Sequence, residues 1–168
     1  MIALKTILVP TDFSECSNAA VKYGFALAEN VGASVHLFNV VQDPYLLPWA
    51  AESFTVSIPD TLEEWERGAK RQLTECVPVG TAVKTLAATR VGSPDREIAR
   101  YAAENRIDLI VLGTHGRGAL GHMLLGSVAE RVVRTAPCAV LTVRHPQREF
   151  IAAEQTDVAQ DDAQTVRA

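Results

Sequence analysis

Ile107-Asp-Leu-Ile-Val-Leu112-Gly113-Thr-His-Gly116-Arg-Gly-Ala-Leu-Gly-His-Met-Leu-Leu-Gly126-Ser127 runs from an aliphatic segment through a glycine-rich connection to a helix start. The near-continuous apolar run Ile107 to Leu112 suits a strand covered on both faces, as in a parallel sheet. Five glycines fall between Gly113 and Gly126, where they permit positive φ angles and close approach of a ligand to the backbone. Ser127 and the amides after it are placed to form a helix N-terminus, whose N–H groups and dipole attract an anion. Strand, glycine loop and helix in this order form the place where a parallel sheet receives a phosphate.

Working outward, Leu4 to Val9 reads as strand one, stopped by Pro10 because proline has no N–H for a ladder. Ser14 is placed to cap a helix in which Cys16, Ala20, Tyr23, Leu27 and Val31 mark one face before Gly32 ends it. Strand two is Ser34 to Val41. Residues 42–59 carry three prolines and no clear period, an irregular excursion over the strand ends in which Tyr45, Trp49 and Phe54 cover either the core or the site. Asp60 with Glu63 resembles a capping box, and Leu62, Trp65, Ala69, Leu73 and Cys76 form the next helical stripe. Strand three is Ala82 to Thr89. Ser93-Pro94 opens a helix to about Asn105, strand four is Ile107 to Leu112, and a helix from Ser127 to Thr135 presents Val128, Val132 and Val133 inward. Pro137 to Val143 returns as strand five.

This alternation predicts a doubly wound α/β domain over residues 1–145, a five-stranded parallel sheet of order 3-2-1-4-5 with helices on both faces. In such a sheet ligands bind beyond the carboxyl ends of the strands where the winding reverses, here between strands one and four. Pro10-Thr11-Asp12 and the glycine loop then face each other. Residues 146–168 are expected to form an acidic, flexible tail.

The bulk composition is that of an ordinary globular domain of 168 residues, 48% hydrophobic and 21% charged. The tail holds five acids against two arginines and so carries most of the net charge of −4. A nearly neutral body argues against nucleic acid as partner. No apolar run approaches the ~20 residues needed to cross a bilayer, and the first residues lack signal-peptide character, so a cytoplasmic protein without membrane insertion is expected. Cys16, Cys76 and Cys138 form no CxxC pair and read as small buried hydrophobes. His36, His122 and His145 show no ligand spacing, and no metal site of the protein's own is expected.

Two familiar phosphate motifs match the loop only in part. Gly116-x-Gly118-x-x-Gly121 has the dinucleotide lettering but follows strand four and lacks the acid about 20 residues on. Gly121-x-x-x-x-Gly126-Ser127 resembles a P-loop without its lysine, the group that neutralises β- and γ-phosphates.

Taken whole, Gly113-x-x-Gly116, nine residues, then Gly126-Ser127, together with Val9-Pro10-Thr11-Asp12, resembles the ATP-binding universal stress protein family. The resemblance runs from about residue 2 to 143 and includes Ala129-Glu-Arg-Val-Val-Arg-Thr-Ala-Pro-Cys-Ala-Val140. Ala139 departs from it, since the family commonly has proline after the cysteine. The resemblance implies that Gly113, Gly116, Arg117, Gly126, Ser127 and Val128 surround ribose and phosphates, that Pro10, Thr11 and Asp12 border the nucleoside, and that the Val40 backbone reads the adenine edge. Thr114, His115 and Gly118 are further candidates. It also implies ATP with Mg²⁺ held mainly by phosphate oxygens, a role as a nucleotide-dependent stress-response switch, an unknown protein partner, and a homodimer through Cys138 to Val143.

Other roles for these residues remain open. The glycines could serve turning and helix packing alone, Asp12 and Ser127 could be helix caps, Arg117 a surface cation and His115 a solvated loop residue. No catalytic pair is visible, which leaves a slow ATPase or phosphoryl-transfer enzyme and a nucleotide-free interaction module as alternatives.

Overall fold

The computed structural model describes residues 3–42, 58–114 and 125–144. Its elements alternate strictly: β1 (Thr6–Pro10), α1 (Glu15–Val31), β2 (Ser34–Val41), α2 (Ile58–Glu75), β3 (Thr85–Val91), α3 (Pro94–Glu104), β4 (Leu109–Gly113), α4 (Ser127–Thr135) and β5 (Ala139–Val143). All strand pairs are parallel and the sheet order is β3-β2-β1-β4-β5, the doubly wound topology expected from the alternation. One face of the sheet packs Ile7, Val9, Val35, Leu37 and Val111 against Val21 and Phe25 of α1 and Leu73 of α2. The other packs Leu8, Phe38, Ile110 and Leu112 against Ile98 and Tyr101 of α3 and Val132 of α4. Alternate residues of each strand thus serve opposite layers, as the pleat requires.

Several expectations shift by a few residues, each for a local reason. The third strand begins at Thr85 and not Ala82, because Thr81 Oγ1 accepts from the Val83 N–H and Thr85 Oγ1 donates to the Val83 carbonyl, which holds the approach in a local turn. The fourth begins at Leu109: Arg106 has a φ of 50°, and the Asp108 carboxylate joins β1 instead by accepting from the N–H groups of Lys5 and Thr6 at 2.8 and 2.9 Å. Pro10 closes β1 from within, paired with Phe38.

Helix α1 is capped as expected, with Ser14 accepting from the Ser17 N–H and Gly32 in the left-handed region at φ 70°. Its buried face is rotated from the expected stripe. Ser17, Val21, Gly24, Phe25 and Ala28 are buried with Cys16 and Ala20, Tyr23 and Leu27 flank them, and Val31 is exposed. Gly24 explains the rotation, since a Cβ there would lie 2.5 Å from Val9 Cγ2. The helix rests on β1 through its least bulky residue. Trp65 and Val133 are likewise exposed where the stripes placed them inward, and Cys76 and Cys138 are only half-buried, unlike Cys16. Ser127 is the first residue of α4 and Gly126 its N-cap, so Ser127 is not the cap.

Candidate functional site

The sheet opens at the carboxyl end of β1, and Pro10 is the cause. Thr6 accepts through its carbonyl from Asp108 of the β4 approach, while Lys5 accepts from Ser34 and Thr11 donates to Phe38 on the β2 side. Backbone polar groups alternate in direction along a parallel strand, so position 10 faces β4, where proline has no hydrogen to give. The β1–β4 register accordingly stops at Leu8↔Ile110, whereas the β1–β2 register runs on to Pro10↔Phe38.

Beyond Pro10 the chain turns on a buried polar network. Asn39 Nδ2 donates to the Thr11 carbonyl at 2.8 Å, the Thr11 and Ser17 hydroxyls meet at 3.0 Å, and the Phe13 N–H returns to Thr11 Oγ1 at 3.0 Å. Phe13 adopts φ 65°, and Asp12 Oδ1 accepts from the Ser14 N–H at 3.1 Å. The consequence falls on Val40. The alternation directs its N–H and C=O toward β1, but the two groups that would continue the ladder are engaged elsewhere: the Thr11 carbonyl by Asn39 and the Phe13 N–H by Thr11. Val40 therefore presents a donor and an acceptor side by side at the open end.

The opposite wall comes from β4 and α4. A Cβ on Gly113 would lie 2.9 Å from the backbone carbon and oxygen of Cys16, so this glycine is needed for the approach of β4 to α1. Thr114 is buried behind the wall, its N–H donating to the Val143 carbonyl and its carbonyl accepting from Gly126 at 2.7 Å. That bond brings Gly126 back beside β4 and aims the N-terminus of α4 at the opening. Gly126 is extended, at φ −70° and ψ 155°, and offers no side-chain cap. The amides of the first turn are thus free of an intrinsic side-chain acceptor.

These walls enclose a cavity of about 810 Å³, within the size range of small-molecule sites. Pro10, Thr11, Asp12, Val40, Gly113, Gly126, Ser127 and Val128 all line it. His115, Gly116, Arg117 and Gly118 lie outside the described residues. Sequence reasoning missed Ser17, Phe38, Asn39, Ile98 and the α2 face of Glu64, Trp65, Gly68 and Gln72, which complete the wall. Only Asn39, a polar residue between the apolar Leu37-Phe38 and Val40-Val41 of β2, carried a signal.

The described lining carries two carboxylates, Asp12 and Glu64, and no lysine or arginine. The end near β2 and α2 therefore suits hydroxyl and amine donors, and the α4 end suits an anion. Among the described residues no three potential ligands gather into a metal site.

Behind the β2 side lies a second polar cluster. Arg90 of β3 bonds Glu104, approaches Glu97 at 3.6 Å and stacks 5.3 Å from the Tyr101 ring centre. Its hydrogen bond holds the Glu104 carboxyl below the ordinary range. Tyr101 OH meets His36 Nδ1 at 3.0 Å, and burial lowers the His36 pKa. Tyr101 also packs on Phe38, with ring centres 4.4 Å apart, and so braces the cavity floor.

Residues 3–144 match the model of the universal stress protein family. The universal stress protein MJ0531 of Methanocaldococcus jannaschii is 35% identical over 145 residues, covering 86% of this chain and 85% of that protein. The solved structure of MJ0577, itself named a universal stress protein of the same organism, superposes with a TM-score of 0.67 at 28% identity, covering 88% of this chain and all of that one. A universal stress protein in complex with cAMP superposes with a TM-score of 0.63 over 84% of this chain and 98% of that chain, and at 24% identity that likeness speaks for the fold alone. Among the described residues no helix is long and apolar enough to cross a membrane.

Proposed function

This chain belongs to the universal stress protein family, and we propose that its cavity binds an adenine nucleotide, ATP with Mg²⁺, as a switch in a stress response. The observation that carries the reading is the pairing, across one cavity, of an unladdered Val40 backbone with the uncapped N-terminus of α4. A donor and an acceptor side by side match the edge of adenine, and the first-turn amides match phosphate oxygens. Asp12, at the turn after Pro10, lies where ribose hydroxyls would donate. Cyclic AMP, the ligand of a protein of this fold, is itself an adenine nucleotide, which agrees with the class. Gly113, Gly126, Ser127 and Val128 hold the phosphates in this reading, joined by Gly116, Arg117 and the other loop candidates His115 and Gly118, while Thr114, buried behind the wall, only supports them. Mg²⁺ is carried by phosphate oxygens and water, since two cavity carboxylates do not make a metal cage.

Binding takes precedence over turnover in this reading, because Asp12, the carboxylate nearest the phosphate end, already accepts the Ser14 N–H within its turn. The protein acts in the cytoplasm as a homodimer through the β5 edge, where Leu141 is exposed, and the tail from 146 onward stays outside the domain.

Calorimetry with ATP, AMP and adenosine tests the reading. Binding at millimolar concentration or below, with ATP tighter than adenosine, is expected. Failure of the wild-type chain to bind any of the three contradicts it. Gly126→Asp sharpens the test: its carboxylate caps α4 and competes with phosphate, so ATP binding falls at least tenfold while the fold gains about 0.5 kcal/mol.

A further inference from the structure

Helix α2 contributes to the cavity a wall that its own packing does not explain. Trp65 is 44% exposed although it is the largest side chain of the helix, and it lines the cavity. Gly68 lies one turn on, in the helix interior, where glycine is among the least favourable residues. Its usual justifications are missing. Its φ is not in the left-handed region, and a Cβ built on it meets only Arg71 Nη2, at 4.0 Å. Among the described residues no neighbouring element requires the gap, yet Gly68 also lines the cavity, as does Gln72 a further turn along the same face. An exposed indole, a helix surface cleared of side chain, and an amide therefore follow one another down the wall that faces the β2 end. These features together form a slot for a flat aromatic ring: the indole supplies a stacking face, Gly68 the room, and Gln72 a donor and an acceptor for a ring edge.

We propose that Trp65 and Gly68 form the base clamp of this site and set its preference for purine nucleotides. The assignment rests on the nucleotide reading above, and adds that selectivity comes from α2 side chains as well as from the Val40 backbone. A two-ring base covers more of the indole than a one-ring base, so purines bind more tightly than pyrimidines. The phosphate end, at α4, is indifferent to Trp65.

The test titrates wild type, Trp65→Ala, Trp65→Phe and Gly68→Leu with ATP, UTP and inorganic tripolyphosphate, reading calorimetry, tryptophan emission and the melting temperature. Trp65→Ala is expected to weaken ATP roughly tenfold, the usual size of a base-stacking loss, to narrow the ATP-to-UTP ratio and to leave tripolyphosphate unchanged. Trp65→Phe keeps most of the affinity. Trp49 is the chain's other tryptophan, so emission quenched by ATP in wild type and not in Trp65→Phe identifies the stacked residue. Gly68→Leu fills the slot and loses ATP while melting no lower than wild type, an outcome that a purely structural role for Gly68 does not produce. If Trp65→Ala and Gly68→Leu bind ATP as wild type does, the clamp is overturned and the nucleotide reading stands. If wild type binds no ATP at millimolar concentration, the nucleotide reading falls and the clamp falls with it.

Discussion

The two seams of β1 differ. Against β2 it pairs without a break from Thr6↔Ser34 to Pro10↔Phe38, whereas against β4 the register covers Ile7↔Leu109 and Leu8↔Ile110 and stops. The closed seam is core: Val9, Leu37 and Phe38 are fully buried along it. At its carboxyl end the open seam leads into the cavity, bounded by Pro10, Thr11, Leu112 and Gly113. One strand thus builds stability on one side and a site on the other, and the difference rests on which of its backbone groups keep their ladder partners.

The comparison breaks most visibly on the closed side. Leu37→Ala removes a buried side chain between α1 and the sheet, and a loss of about 2–5 kcal/mol is expected in chemical or thermal unfolding. A loss below ~1 kcal/mol would mean that the closed seam is not the rigid half. Asn39→Ala should cost about 1–3 kcal/mol, because the Thr11 carbonyl loses a buried donor. With that carbonyl released, the Val40 N–H can reach it, so ATP affinity is expected to fall beyond what the stability change accounts for.

Pro10→Ala acts on the open side and restores an N–H directed at β4. The net stability change should stay within about 1 kcal/mol, the added ladder bond being offset by the freer unfolded chain. Its signature is a protected amide at position 10, where wild type has no N–H to exchange, together with weaker nucleotide binding. The smallest effect belongs to His36, on β2 with its Nδ1 against the Tyr101 hydroxyl. Burial lowers its pKa, so the folded chain favours the neutral ring. Stability from this group is complete above the unfolded value near 6.5 and is lost as pH falls below it. Unfolding midpoints of wild type should therefore drop more between pH 7 and 5 than those of His36→Gln. Equal drops would remove His36 from the account.

Much of the fold was legible in the alternation of apolar runs with capped helices, down to the sheet order and the caps Ser14 and Gly32. Helix faces were less so. In α1 the periodic residues Tyr23, Leu27 and Val31 gave one stripe, but burial follows Gly24, whose missing side chain lets the helix settle on Val9. Periodicity counts hydrophobic residues and is blind to a contact made by having none. The site shows the same limit. Pro10, Asp12, Gly113, Gly126 and Ser127 announced themselves by type and spacing, while Asn39, Ser17 and the α2 face contribute through partners distant in sequence. Asn39 reaches Thr11 across 28 residues, and no local pattern encodes that bond. The stop at Pro10 was legible, but which neighbour it faced was not, because that depends on the register.

Hydrogen exchange with and without ATP tests the central claim most directly. Nucleotide held at the open end should slow exchange at the β1 turn, residues 11–14, at Val40 and at the first turn of α4, residues 127–129, while the closed seam between β1 and β2 stays unchanged. Protection confined to other segments, or no change at saturating ATP, would contradict the assignment of the open end of β1 as the nucleotide site.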